Sequence, residues 1–261
     1  VIVTTRHEAP TEVQKQAKAL AHNLGVQFVE RRKMSIARLH EIDERVLVVT
    51  DGGIKAYSKG SGEPFFFHPG MAMLRIKRLM AGDTDVMVQA CGLQAGDAFL
   101  DCTLGLGSDS IVASFVVGQG GRVVGLESEC ALSVVVGDGL KRYESPLSEA
   151  VEAMRRIEVK PIHHLTFLRQ CENNSFDIVY FDPMFFQAIE SSESIAPLRP
   201  FANYEMVAAE AVEEAKRVAC RRVVMKNHRE SPDFARLGFT RIRKIERSFT
   251  YGIIEVGGEV R

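Results

Sequence analysis

Two short stretches of this 261-residue chain carry residue types that could do chemistry together. The first is Phe99-Leu100-Asp101-Cys102-Thr103-Leu104-Gly105-Leu106-Gly107, an apolar run that ends in an acid and turns through Gly-x-Gly. In open α/β sheets, ligands bind beyond the carboxyl ends of strands, where strand order reverses. Glycine there lets the backbone approach the ligand, because it has no Cβ. Ser110 stands where a third glycine would complete a dinucleotide fingerprint. An acid at the strand end suits a cationic amino-acid group better than a pyrophosphate. Glu127 closes the next apolar run, where it can accept hydrogen bonds from two ribose hydroxyls. A ligand with an ammonium, a sulfonium, a ribose and no phosphate answers this pattern, and S-adenosylmethionine is such a ligand.

The second stretch is Phe176-Asp177-Ile178-Val179-Tyr180-Phe181-Asp182-Pro183-Met184-Phe185. A buried strand would deliver Asp-Pro-Met-Phe to the same sheet edge as the glycine turn. The arrangement resembles the Asp/Asn-Pro-Pro-Tyr/Phe loop of methyltransferases that modify amino groups of nucleobases. The exocyclic amine of a base is a poor nucleophile, because its lone pair is delocalised into the ring. A carboxylate and a backbone carbonyl, each accepting one N–H, can turn that lone pair toward a methyl group. Proline fixes the loop, and an aromatic ring can stack on the base. Asp182 is therefore the expected acceptor, Pro183 would contribute its carbonyl as an acceptor, and Phe185 is the stacking residue.

Taken in order, Asp101–Ser110, Gly125-Leu126-Glu127, Asp138-Gly139-Leu140, residues 179–185 and Val223-Val224-Met225-Lys226 resemble a known family. It comprises the bacterial methyltransferases that make N2-methylguanosine in small-subunit ribosomal RNA, and the resemblance covers about residues 65–230. It implies an α/β, Rossmann-like class I methyltransferase fold, with a seven-stranded, mostly parallel sheet whose last strand is antiparallel. It also implies direct transfer from S-adenosylmethionine to guanine N2. The expected cofactor contacts become Asp101, Thr103, Gly105, Gly107, Glu127, Ser128 and Asp182, with His164 near the adenine. The chain departs from the family in two places. Phe186-Gln187-Ala188-Ile189 follows the loop where the family continues with proline, and His163-His164-Leu165 stands where the third strand usually leads to an acid.

Alternating elements must position these residues. Residues 98–102, 122–127, 156–160, 177–181 and 222–226 read as strands. Residues 71–80, 108–117, 128–143 and 203–220 read as helices, with a short helical stretch before residue 177. Alternation of this kind points to a mostly parallel sheet covered on both faces. Two last strands, near residues 239–245 and 249–256, have no room for a crossover helix and should pair antiparallel. Residues 1–65 read as a small N-terminal α/β region, and residues 66–261 as the catalytic domain. In the former, Thr11 and Gln14 suggest a capping box ahead of an apolar stripe from Val13 to Leu24, and Gly25 a helix C-cap. Residues 26–29 and 46–50 read as strands, followed by an Asp51-Gly52-Gly53 turn.

Composition narrows the classes. Hydrophobic residues make up 46% and charged residues 26%, with a net charge of −1, so no global cationic field holds nucleic acid nonspecifically. Five scattered cysteines without a C-x-x-C pair point to reduced thiols, and the N-terminal residues to no exported or membrane-spanning segment, hence a cytoplasmic chain without metal. Arg31-Arg32-Lys33, Arg75 with Lys77 and Arg78, and Arg241 to Arg247 could form a local footprint for RNA of the small ribosomal subunit. Lys226 to Arg229 could meet phosphate or substrate. Adjacent histidines at 163 and 164, read as strand residues, would point to opposite faces. The alternative acceptor is a small molecule or a protein, and a nicotinamide-dependent oxidoreductase is the remaining reading. Oligomeric state is not readable from these residues.

Overall fold

The computed structural model describes residues 1–183, 201, 206–241 and 248–257. Among them, no helix is long and apolar enough to cross a membrane. The chain divides into two compact units. One holds residues Val1–His68 and Glu129–Tyr143. The other holds Pro69–Ser128, Glu144–Gln187 and the C-terminal part of the chain.

The first unit is built on a five-stranded sheet. Its strands are β1 (Ile2–Thr5), β2 (Gln27–Phe28), β3 (Arg45–Thr50), β4 (Gly53–Ser58) and β5 (Phe65–Phe66), in the order β2-β1-β3-β4-β5. β1 is parallel to both β2 and β3, whereas β4 turns back antiparallel through Asp51-Gly52-Gly53. Helix α1 (Thr11–Leu24) links β1 to β2 and buries Val13, Ala17 and Ala21 at helical spacing. It ends on Gly25, whose φ of 66° is the left-handed geometry a C-cap needs. The capping box at its start does not form. Pro10 occupies the N-cap without a side-chain bond, and Gln14 Nε2 reaches back to the Ala9 carbonyl instead. The short α2 (Ile36–Leu39) is capped by Ser35 and covers the other face, where Ile2, Val29, Leu39, Val46 and Val48 cluster.

The seven-stranded sheet lies in the second unit. Its strands are β6 (Ala98–Asp101), β7 (Arg122–Leu126), β8 (Ile157–Lys160), β9 (Phe176–Phe181), β10 (Ala219–His228), β11 (Thr240–Arg241) and β12 (Phe249–Glu255). Their order is β11-β12-β10-β9-β6-β7-β8. Five are parallel neighbours, and β12 runs antiparallel to both β10 and β11. Central parallel strands are covered on both faces and so read as continuous apolar runs. Phe99, Leu100, Ile178, Val179, Tyr180 and Phe181 are all fully buried. Each such side chain contributes about 1.5–3 kcal/mol relative to exposure, which fixes β6 and β9 as the rigid centre.

Helices α3 (Gly70–Met80), α4 (Val86–Cys91), α5 (Ser108–Val117), α7 (Ser148–Arg155), α8 (His164–Gln170), α9 (Ala209–Val218) and α10 (Asp233–Arg236) accompany this sheet. α9 packs Ala211, Val212, Ala215 and Val218 on one face of the sheet. The remaining helix, α6 (Cys130–Arg142), follows β7 in sequence but counts with the N-terminal unit. Its Asp138 accepts from the Ile54 N–H at 3.2 Å, and Arg45 pairs with Glu129 just before it. A Cβ on its Gly139 would fall 2.2 Å from Phe67, so only glycine permits this packing. The expected helix over residues 203–220 is shorter in its described part, because the chain is already extended from Ala219.

Candidate active site

The site begins with strand register. Asp101 lies opposite Tyr180 on one side and Gly125 on the other. Two residues further on stand Asp182 and Glu127, so the three acids end adjacent strands at one edge of the sheet. β6 is also where strand order reverses, since its parallel neighbours β7 and β9 lie on opposite sides.

The turn after β6 is held from both sides. Cys102 N–H donates to the Tyr180 carbonyl at 2.9 Å, and Leu104 N–H to the Leu126 carbonyl at 2.9 Å. Thr103 N–H donates to Asp101 Oδ1 at 3.0 Å, and its hydroxyl accepts from the main-chain N–H of Asp182 at 2.6 Å. Gly105 N–H donates to Glu127 Oε2 at 3.1 Å. Gly105 and Gly107 have φ of 50° and 74°, where a side chain would be strained, and Gly107 is the N-cap of α5. Asp101, Thr103, Gly105, Glu127 and Asp182 are therefore brought together. Ser128 follows Glu127 on the exposed side, and Pro183 follows Asp182 half-buried. Phe185, the expected stacking residue, lies outside the described residues.

Asp101 is 1% exposed. Burial pushes its carboxyl up to about 7, against hydrogen bonds from Ser110 Oγ and Thr103 N–H that favour the charged form. No cationic side chain lies in the turn from Asp101 to Ser110. A ligand ammonium would supply the missing charge. The two buried carboxylates, the hydroxyl and the positive-φ glycine turn thus fit S-adenosylmethionine, whereas the two acids would repel a pyrophosphate.

The histidine pair differs from expectation. His163 is not a strand residue but the N-cap of α8, its Nδ1 accepting from Leu165 N–H at 3.3 Å. The two imidazoles therefore stack, centroids 4.1 Å apart, rather than pointing to opposite faces. His164 meets the Phe181 ring edge-on at 5.6 Å. Burial, with His163 beside it, lowers the His164 pKa to about 4, so a neutral ring is presented at neutral pH. Among the described residues, no three His, Cys, Asp or Glu side chains converge as a metal site.

Beneath Asp182 runs a charge network that sequence reasoning missed. Lys226 Nζ lies 2.6 Å from Asp182 Oδ2 and 3.7 Å from Asp109 Oδ2. Asp109 also accepts from the Tyr180 hydroxyl at 2.8 Å and from Arg75, which in turn holds Asp85 at 2.7 and 2.9 Å. Burial acts to raise the Asp109 carboxyl, but Lys226 and Arg75 outweigh it and hold it far below the usual range. For Asp182, burial prevails over Lys226, and the neighbouring Asp109 adds to it, so the carboxyl is raised to about 6. Lys226, considered for substrate or phosphate, instead points its ammonium at these acids. Arg75, read with Lys77 and Arg78 as part of an RNA footprint, is instead committed to Asp85 and Asp109, and the acid in the first turn of α5 carried no sequence signal beyond ordinary helix patterning.

Comparison with known proteins agrees with this fold. A family model described as "Putative SAM-dependent methyltransferase" matches residues 22–243. The chain is 42% identical over 255 residues to Bacillus subtilis YpiP, described as an uncharacterized protein, covering 97% of this chain and 99% of that one. It is 28% identical over 200 residues to ribosomal RNA small subunit methyltransferase J of Mannheimia succiniciproducens, 71% of this chain and 75% of that one. A crystal structure of an SAM-dependent methyltransferase from Neisseria gonorrhoeae shares the fold. Its TM-score is 0.66 at 18% identity, and the match covers 100% of this chain and 98% of that one.

Proposed function

This chain belongs to the SAM-dependent methyltransferase family, an enzyme whose cofactor is S-adenosylmethionine, and on that premise we propose that it methylates an exocyclic amine of a nucleobase in RNA. The amine is guanine N2, and the RNA that of the small ribosomal subunit. The observation that carries this reading is Asp182, a carboxylate at the end of β9 whose N–H is tied to the cofactor turn through Thr103. The similarity to ribosomal RNA small subunit methyltransferase J supports the same acceptor.

In this reading Asp101 receives the ammonium of the cofactor and Glu127 its ribose hydroxyls. Thr103, Gly105, Gly107 and Ser128 line the approach, and neutral His164 meets the adenine. When bound, S-adenosylmethionine supplies an electrophilic methyl group on a sulfur that leaves as a neutral thioether. Asp182 and the Pro183 carbonyl each accept one N–H of the base amine and aim its lone pair, with Phe185 stacked on the ring. After transfer Asp182 takes the surplus proton from nitrogen. A carboxyl raised to about 6 is still ionised at neutral pH, yet basic enough for that step. Alignment supplies most of the rate gain, since the leaving group needs no activation. The base must be splayed out of its stack to reach the loop.

The test is nucleoside analysis of small-subunit RNA from cells lacking the gene. A methylguanosine should be missing, return with the intact gene, and fail to return with Asp182→Ala. An unchanged nucleoside profile would move the acceptor to a small molecule or protein.

A further inference from the structure

The run Arg31-Arg32-Lys33 has no part in the chemistry proposed above. It lies in the N-terminal unit, whose sheet has its own reversal point. β1 has parallel neighbours on both sides, so its carboxyl end is where an open α/β sheet offers a ligand site. Arg6 and His7 follow β1 there, Arg31 and Arg32 follow β2, and Asp51 follows β3. Arg6 is paired with Asp51 at 2.5 Å, and Arg32 with Glu30 at 3.3 Å.

Arg31 is different. It is 8% exposed, and among the described residues its Nε and Nη1 have no hydrogen-bond partner. Its Nη2 lies 3.4 Å from His7 Nε2. His7 Nδ1 is 3.1 Å from the Arg32 carbonyl, which can only accept, so Nδ1 carries the proton and Nε2 offers its lone pair to Arg31. A neutral imidazole is a weak stand-in for an anion. Burial acts against the charged form of Arg31, only partly offset by Tyr57. Glu8 and Arg32, two of the three non-glycine residues with positive φ among the described residues, flank the contact at 48° and 41°. An unpaired buried cation is costly to a fold and is understandable where a ligand completes it.

We infer that Arg31 and His7 form an anion site that takes one phosphate of an RNA strand, with His7 ceding its place on the guanidinium. The choice of RNA rests on the acceptor proposed above. Exposed Arg32 and Lys33 extend the same edge toward neighbouring phosphates, and arginine suits phosphate through its planar array of donors. Such contacts position a strand without reading its sequence.

The full-length protein and its Arg31→Met variant are compared by anisotropy of a fluorescein-labelled single-stranded RNA of about twenty nucleotides, alongside thermal unfolding. RNA affinity should fall about tenfold in Arg31→Met. Its thermal midpoint should hold or rise, because an apolar side chain replaces an unpaired cation. S-adenosylhomocysteine affinity should not change, and Arg31→Lys should retain part of the RNA affinity. Parental RNA affinity in Arg31→Met overturns the inference. So does a joint loss of affinity and thermal midpoint, which would assign Arg31 to the fold. Inorganic phosphate is titrated in parallel. If it stabilises the parent but not the variant while RNA binds both alike, the site takes free anions and the RNA assignment is overturned. If ribosomal subunits accept no methyl group yet RNA affinity depends on Arg31, the acceptor reading fails and this one stands.

Discussion

The main-chain N–H of Asp182 donates to the Thr103 hydroxyl at 2.6 Å, so the turn after β6 and the end of β9 are tied by a hydrogen bond. A shift in either strand end is passed to the other through the Thr103 side chain. Thr103→Val removes the acceptor but keeps the shape, leaving a half-buried N–H without its partner at a cost of about 1–3 kcal/mol. Turnover should fall about tenfold or more, while cofactor affinity changes less than about threefold. Steady-state kinetics beside calorimetric titration of S-adenosylhomocysteine checks this. A matching loss in both would make the contact part of cofactor binding alone.

Asp101 sets a pH dependence whose sign follows from its environment. Burial raises its carboxyl from the ordinary 3.8 to about 7, so between those values the native protein holds a proton that the unfolded chain has lost. The cofactor-free protein therefore loses stability from this group as pH rises through that window, by up to roughly 4 kcal/mol. Below about 3.8 this penalty is absent. Asp101→Asn should raise the thermal midpoint at pH 8 and abolish cofactor binding. In the parent, cofactor affinity should weaken as pH falls through about 7. Calorimetry across pH 5–8 that shows flat affinity would contradict the ammonium role.

Lys226 keeps Asp182 ionised in surroundings that favour the acid. Turnover should decline as pH falls through about 6, where Asp182 takes up a proton. Lys226→Met should move that decline to higher pH, with partial recovery in alkaline buffer, and Lys226→Arg should restore the parental profile. A pH-independent loss would point to a merely structural lysine.

Much of this was legible in the sequence, for local reasons. α5 was readable end to end because Gly107 opens it and Gly118 closes it, and β6 and β9 because buried parallel strands are apolar throughout. Asp101, Glu127 and Asp182 could be placed because each sits at, or one residue past, a strand end that patterning locates, and Gly105 because it lies in the turn that follows β6. The capping box at Thr11 misled because Pro10 already sets the helix entry. Histidines 163 and 164 misled because they lie beyond the strand read over residues 156–160, which does end at Lys160, and His163 instead caps α8. Helices α4 and α7 are too short to show a clear period. The network under Asp182 was invisible for another reason. Arg75 and Asp109 are 34 positions apart, Tyr180 and Asp109 71, and Lys226 and Asp182 44, so only the sheet topology joins them.

That network also makes a stability prediction. Asp109→Ala leaves Arg75 and Lys226 without their shared partner in a buried site, a change that typically costs about 3–5 kcal/mol. Urea denaturation should show a loss of that size. Asp109→Asn, which keeps hydrogen bonding, should lose less than Asp109→Ala. A loss under about 1 kcal/mol for Asp109→Ala would mean water replaces the pair freely.

The most direct test of the central claim is transfer of tritiated methyl from S-adenosylmethionine to small ribosomal subunits purified from cells lacking the gene. The intact protein should label the RNA, and Asp182→Ala, which still binds S-adenosylhomocysteine, should not. Unlabelled RNA with a cofactor-competent protein, or equal labelling by Asp182→Ala, would contradict the account.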